Sequence, residues 1–320
     1  MKRPNILITI ADDQRHDALG PAVLTPELDR FAREGCRFTH AHVMGSMVPA
    51  VCVASRAMLM TGRSIFDIPA SLTYGDYMGK NEGAYLPPPE GAPLLGELFS
   101  ASGYETHAVG KWHSGRESFV KSFRGGSRIF LGGMGDQYRI PTFDFDPSGK
   151  YPDEKKVVIP RFSTDLFTES ACDFLSNRKK DRPFFLYTAF TSPHDPRTPP
   201  KEWLDLYPPE KIPLPENFLP EHPFDNGELR IRDEMLAPHP RTPEIIQRHI
   251  ADYHAMVSHL DHSIGKIHKA LKDSGEWENT IVLHTSDHGL AVGRHGLMGK
   301  QNMYDHSMRI PLIFGGAFST

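Results

Sequence analysis

Cysteine is scarce in this 320-residue chain, and Cys36, Cys52 and Cys172 are odd in number and far apart. A disulfide framework and the paired ligand spacing of a structural zinc site are therefore both excluded. Long apolar runs are missing as well. No stretch approaches the roughly 18 consecutive apolar residues of a membrane helix. The run near the start, Ile6 to Ile10, stops at Asp12-Asp13 with no cleavage-site pattern. The chain reads as cytoplasmic as written, and as periplasmic or secreted if a signal peptide has been trimmed. Neither sign of charge dominates: 36 Lys and Arg against 40 Asp and Glu leave a formal charge of −4. Without a polybasic patch, nucleic acid and an anionic membrane are poor partners. Repeats, low-complexity tracts and linker-like boundaries are also lacking, so residues 1–320 read as one domain.

What is present is a recurring pattern. Four apolar, β-branched or aromatic runs each stop at a polar cluster. Ile6–Ile10 leads to Asp12-Asp13, and Thr106–Val109 to Lys111-Trp112-His113. Phe184–Phe190 leads to His194, and Ile281–Thr285 to Asp287-His288. Three of them follow segments of helical period: Leu94 to Phe99 with Gly103 as the stop, Leu166 to Leu175, and a long helix from about Pro243 to Leu271. That helix carries Ile246, Ile250, Tyr253, Val257, Leu260, Ile264 and Ile267 on one face. Helix followed by strand, repeated, predicts an α/β fold whose mainly parallel sheet is covered on both faces. Ligands in such sheets bind beyond the carboxyl ends of the strands, so the four clusters should share one edge. A Gly-rich stretch, Lys121–Asp136, and a Pro-rich one, Pro196–Pro243, read as excursions that shape a pocket.

The stretch VCVASRAMLMTGR adds the odd cysteine. Ala57-Met58-Leu59-Met60 favours a helix that Gly62 would end, which puts Cys52 near the helix start beside Arg56. A thiol there has its pKa lowered. Cys36, after the helix Pro26–Glu34, and Cys172 are expected to be ordinary buried or half-buried thiols. Trp112 is expected to pack and orient its neighbours. Each polar cluster alone would pass as a strand-end turn. Carboxylates, lysines, histidines and a cysteine converging on one edge are a much rarer coincidence.

Taken together, RPNILITIADDQRHDALG, CVASRAMLMTGR, GKWH, SPHDP, TSDHG and GRHGLMGKQNMYDHSMRIPLI resemble the successive signatures of the type I, formylglycine-dependent sulfatases of the alkaline phosphatase-like superfamily. The likeness runs from Arg3 to about Phe314. It implies an alkaline phosphatase-like α/β/α sandwich and an N-terminal catalytic domain that ends short of the family's C-terminal subdomain. It also implies that Cys52, in a motif with Ala54 where Pro is commoner, is oxidised to formylglycine by a dedicated maturation enzyme. The hydrated aldehyde would supply one hydroxyl to attack sulfur and a second to expel sulfate.

By the same resemblance, Asp12, Asp13, Asp287 and His288, together with the Cys52-derived group, would hold a calcium ion. Arg56 would orient the nucleophile. Lys111 and Lys300 would bind the sulfate oxygens and the bridging oxygen, His113 would act as the base for sulfate release, and His194 would be the acid at the leaving oxygen. His295 could line the pocket, while His306 and Arg309 would fix the segment after Lys300. The expected reaction is hydrolysis of a sulfate monoester on a small molecule or, more specifically, a glycan. The alternatives are a phosphonate monoester or phosphodiester hydrolase of the same superfamily, or an inactive fragment.

Overall fold

A computed structural model of the chain describes residues 3–46, 51–68 and 93–317. Its strands are β1 (Asn5–Ala11), β2 (Cys36–Arg37), β3 (Glu105–Lys111), β4 (Gly125–Phe130), β5 (Pro141–Thr142), β6 (Val157–Val158), β7 (Phe184–Ala189), β8 (Thr280–Ser286) and β9 (Leu312–Gly316). Its helices are α1 (Pro26–Glu34), α2 (Val51–Thr61), α3 (Leu95–Ala101), α4 (Arg116–Ser122), α5 (Ser163–Asn177), α6 (Lys201–Leu204), α7 (Pro243–Asp273) and α8 (Asp305–Met308).

Seven strands form one sheet in the order β2-β9-β8-β1-β7-β3-β4. The pairs β8-β1, β1-β7, β7-β3 and β3-β4 are parallel, and β9 runs antiparallel to β8. The four apolar runs expected from sequence are the four adjacent central strands. Their side chains alternate between faces, as the two-residue strand period requires. Leu7, Val109, Leu186 and Val282 join Leu28, Phe167, Leu260 and Ile264 in a cluster under α1, α5 and α7. Ile8, Ile10, Ala108, Phe185 and Tyr187 join Met60, Leu94 and Phe119 on the opposite face. The result is the expected α/β/α sandwich.

Two sequence readings need correction. The Gly-rich stretch is not wholly an excursion, because Gly125–Phe130 forms the parallel edge strand β4. Glycine has low strand propensity, which hides this strand. A Cβ at Gly126 would lie 2.9 Å from the Phe119 ring and 3.0 Å from the Ala108 carbonyl, so tight packing keeps side chains out there. Cys36 is exposed rather than buried, because it lies on the two-residue edge strand β2. Cys172 is half-buried, and Trp112 packs against Phe119, Phe123 and Tyr187 as expected.

Register decides where the polar clusters lie. Ile10 pairs with Ala189 and Thr285, and Gly110 pairs with Ala189. The carboxyl ends of β8, β1, β7 and β3 are therefore level. No helix among the described residues is long and apolar enough to cross a membrane.

Candidate active site

Asp12 and Asp13 leave β1, Lys111 ends β3, and Asp287 and His288 leave β8, all at one sheet edge. Asp13 and His113 turn there with φ of 77° and 55°, a left-handed backbone that side chains other than glycine rarely adopt. Such strain concentrates at functional sites. The α2 helix brings Cys52, in its first turn, against this edge. Cys52 Sγ lies 3.5 Å from Asp12 Oδ1, 3.1 Å from His288 Nε2 and 3.6 Å from Lys300 Nζ. His113 also acts on the charge of the thiol, while its Nδ1 has no partner.

Around the thiol, cations and carboxylates alternate. Lys111 pairs with Asp12, and Lys300 Nζ lies 2.9 Å from Asp13 Oδ1. Arg56 places Nε 3.1 Å and Nη2 3.0 Å from Asp287 Oδ2, and its Nη1 donates to the Lys111 carbonyl at 3.1 Å. His288 Nδ1 lies 3.0 Å from both Asp13 Oδ1 and the Gly289 carbonyl. Burial opposes ionisation of Cys52, but Lys111, Lys300, His288 and His113 together hold its pKa well below that of an ordinary thiol. Burial and the nearby Asp287 raise Asp12 well above the usual carboxylate range, despite Lys111.

The two histidines are pushed apart. Burial brings His113 down to about 4. Burial and Lys300 also oppose charge on His194, but Asp13, Asp12 and Asp195 outweigh them and push it up to about 9. Gln137, one residue past the Gly-rich stretch, donates to the His194 carbonyl at 3.1 Å and so anchors the turn after β7.

The donor set fits a cation. Ligand-type atoms of Asp12, Cys52, Asp287 and His288 lie within 4.8 Å of one another, as do those of Asp12, Asp13, Cys52 and His194. Asp13 Oδ2 is buried without a protein partner. Buried carboxylates at this spacing repel one another, and their oxygens suit a hard divalent ion.

The residues given catalytic or metal roles from sequence all reach this cluster: Asp12, Asp13, Cys52, Arg56, Lys111, His113, His194, Asp287, His288 and Lys300. His295 bonds Asn217 at 2.8 Å and stacks on Tyr304 at 4.3 Å, outside the ring of residues around Cys52. Arg309 donates to the Thr39 carbonyl at 2.8 Å, and His306 is buried beside Tyr304. Sequence reasoning missed several supports. Tyr253, read only as part of the apolar face of α7, donates its hydroxyl to the Asp13 carbonyl at 2.9 Å and accepts the Arg15 N–H at 2.9 Å. Tyr187 accepts from Arg56 Nη1 at 3.2 Å, and its aromatic ring had marked it only as a strand former.

Comparison with known proteins gives this geometry a context. The sulfatase family profile matches residues 4–317. The N-acetylglucosamine-6-O-sulfatase of Bacteroides thetaiotaomicron is 28% identical over 98% of this chain and 62% of its own length. The ulvan-active sulfatase of Formosa agariphila is 31% identical, covering 97% of this chain and 56% of that protein. The chain thus spans roughly three fifths of the length of these curated relatives. Among solved structures, a complex with the substrate D-glucosamine-2-N,6-O-disulfate superposes with a TM-score of 0.72 at 25% identity, over 98% of this chain and 71% of that one. The phosphonate monoester hydrolase of Agrobacterium radiobacter shares the fold, with a TM-score of 0.72 at 20% identity over 98% and 68% of the two chains. A family profile that covers residues 4–317 makes this chain a member of the sulfatase family.

Proposed function

We propose that this chain is the catalytic domain of a sulfuric ester hydrolase that removes sulfate from a glycan, with Cys52 matured to formylglycine by a dedicated enzyme. The observation that carries the reading is the buried Cys52 thiol, met at once by Lys300, His288, Asp12 and His113. A sulfate ester resists attack because its negative oxygens repel nucleophiles, so a site must neutralise them. Lys111 and Lys300 carry that charge in a water-poor setting, where it acts strongly. Arg56 is fixed by Asp287, Tyr187 and the Lys111 carbonyl, which orients it beside the residue-52 side chain.

The split between the two histidines supports the acid and base roles, because a pair driven to opposite protonation states divides such work. His194, held protonated, gives its proton to the leaving alcohol oxygen. His113, held neutral, accepts a proton from the residue-52 side chain. When present, the aldehyde hydrate supplies a nucleophile with its own exit from the covalent stage. Asp12, Asp13, Asp287 and His288 would hold calcium, whose contribution is to neutralise charge at the sulfate. The bond from His288 Nδ1 to the Gly289 carbonyl leaves Nε2 available as a ligand. The names of the curated relatives and the disulfated glucosamine complex support a sugar sulfate as substrate.

Two measurements test the proposal. Peptide mass spectrometry after co-expression with a maturation enzyme should show the Cys52 thiol replaced by an aldehyde or its hydrate. Active enzyme carrying an unmodified Cys52 would refute that part. Parallel kinetics on aryl sulfates, aryl phosphonates and sulfated sugars should favour sulfate. A preference for the phosphonate would move the chain to the other branch of its superfamily.

A further inference from the structure

Arg232 lies in the Pro196–Pro243 segment, outside every motif, yet its guanidinium joins two buried carboxylates. Nη1 donates to Asp195 Oδ2, while Nη2 donates to Asp195 Oδ1 at 3.2 Å and also to Asp233 Oδ1. Each carboxylate leads to a residue of the candidate site. Asp195 Oδ1 is 3.3 Å from His194 Nδ1, which also bonds the Asp195 carbonyl at 2.7 Å. Asp233 Oδ2 accepts Gln301 Nε2 at 2.8 Å and lies 4.0 Å from Lys300 Nζ. The side chains of Asp195 and Asp233 are 6% and 7% exposed, against 45% for Arg232.

We infer that Arg232 is a positioning residue for the leaving-group side of the site, a conclusion that rests on the acid role given to His194 above. Two neighbouring buried carboxylates repel, and a shared planar cation lets both keep one orientation. With Asp195 held, His194 Nδ1 is engaged and Nε2 is the nitrogen left for the substrate. With Asp233 held, Gln301 and Lys300 keep their places across from it. The spacing between His194 and Lys300 is thus set by the segment that closes over the strand ends as well as by the strands. A lysine at position 232 would keep the charge but lose the fork that reaches both partners.

The test uses matured, metal-loaded enzyme and a series of aryl sulfates of rising phenol pKa. Arg232→Gln and Arg232→Lys should each lower kcat roughly 10–100-fold on the poorest leaving groups, the usual cost of losing a group that orients a reactive residue. On the best leaving groups the loss should be slight, and KM should hold throughout. In a His194→Ala background, Arg232→Gln should lose its dependence on the leaving group and keep only the smaller share that acts through Asp233 and Lys300. A rise in KM with kcat intact, or a full additive loss in that background, would overturn the inference and make Arg232 a contact for an anionic substrate group. A fall in Tm with equal losses on all substrates would overturn it in favour of a merely structural role. NMR of 15N-histidine-labelled protein supplies an arm that needs no turnover. The His194 ring signals should shift in Arg232→Gln in the same direction as in an Asp195→Asn control, and unchanged signals would overturn the inference. If His194→Ala proves blind to the leaving group, the acid role fails, while the NMR arm still decides what Arg232 does.

Discussion

Burial drives His113 and His194 toward the neutral form alike, and only the carboxylates around His194 reverse it. Their variants should therefore fail differently. His194→Ala should slow sugar sulfates, whose alcohols leave poorly, far more than activated aryl sulfates, because a good leaving group hardly needs a proton. His113→Ala should slow all substrates alike. A general acid or base is worth roughly 10²–10⁴-fold, so the contrast is measurable, and equal losses in both variants would refute the assignment. A gentler probe is Gly133. A Cβ there would come 2.7 Å from His113 Cε1 and Nε2, so Gly133→Ala must turn the imidazole. Turnover should drop by about tenfold or more on every substrate while Tm barely moves, since displacement of about 1 Å can cost ~10²-fold. Unaltered kcat would mean that the ring position is not critical.

At the scale of elements, α7 is the main organiser. Thr242 caps its start by accepting the Ile245 N–H at 3.4 Å, with Pro243 in the first turn. Leu260, Ile264, Ile267 and Leu271 pack it on the sheet, and Tyr253, nearer its start, ties down the backbone of Asp13 and Arg15. Asp261, a turn or two further on, caps a different helix. Thr25 makes no side-chain cap for α1, and Asp261 instead accepts the Glu27 and Leu28 N–H groups at 3.1 and 2.7 Å. Asp261→Ala would leave both donors without partners and should lower stability by about 3 kcal/mol, read as a reduced urea midpoint. Asp261→Asn can still accept one of the bonds and should recover part of the loss. A midpoint unchanged in Asp261→Ala would show that water caps α1 equally well. Such caps across helices are invisible in the sequence, because donors and acceptor lie more than 230 positions apart.

For the whole molecule, the cluster of Asp12, Asp13 and Asp287 puts folding and ion binding in the same balance. An ion that binds only the folded state stabilises it by mass action, about 2.7 kcal/mol at a concentration 100 times Kd. Calcium should therefore raise Tm and chelation lower it, with the shift lost in Asp13→Asn. A melting curve indifferent to both, with no metal found by elemental analysis, would refute the calcium site. The measurement reads binding without any substrate, so it separates metal binding from turnover.

The sequence alone determined the four central strands, their parallel arrangement and the residues at their ends. These are local signals: apolar strand period broken by polar residues, with helical period in between. Strand ends fall level in a parallel sheet, so the sequence pattern alone puts Asp12, Lys111, His194 and Asp287 at one edge. The α2 helix start likewise marked Cys52. Strand β4 escaped because Gly125 and Gly126 carry no strand signature and are required only by their neighbours. Only the tertiary structure decided which partners those edge residues meet: Gln137 behind His194, Tyr187 behind Arg56, Tyr253 beneath Asp13, and Arg232 across Asp195 and Asp233. Those contacts, and the opposite pKa shifts of the two histidines, depend on which side chains meet in space. Electrostatics and burial sum over distance in space, which spacing along the chain does not encode.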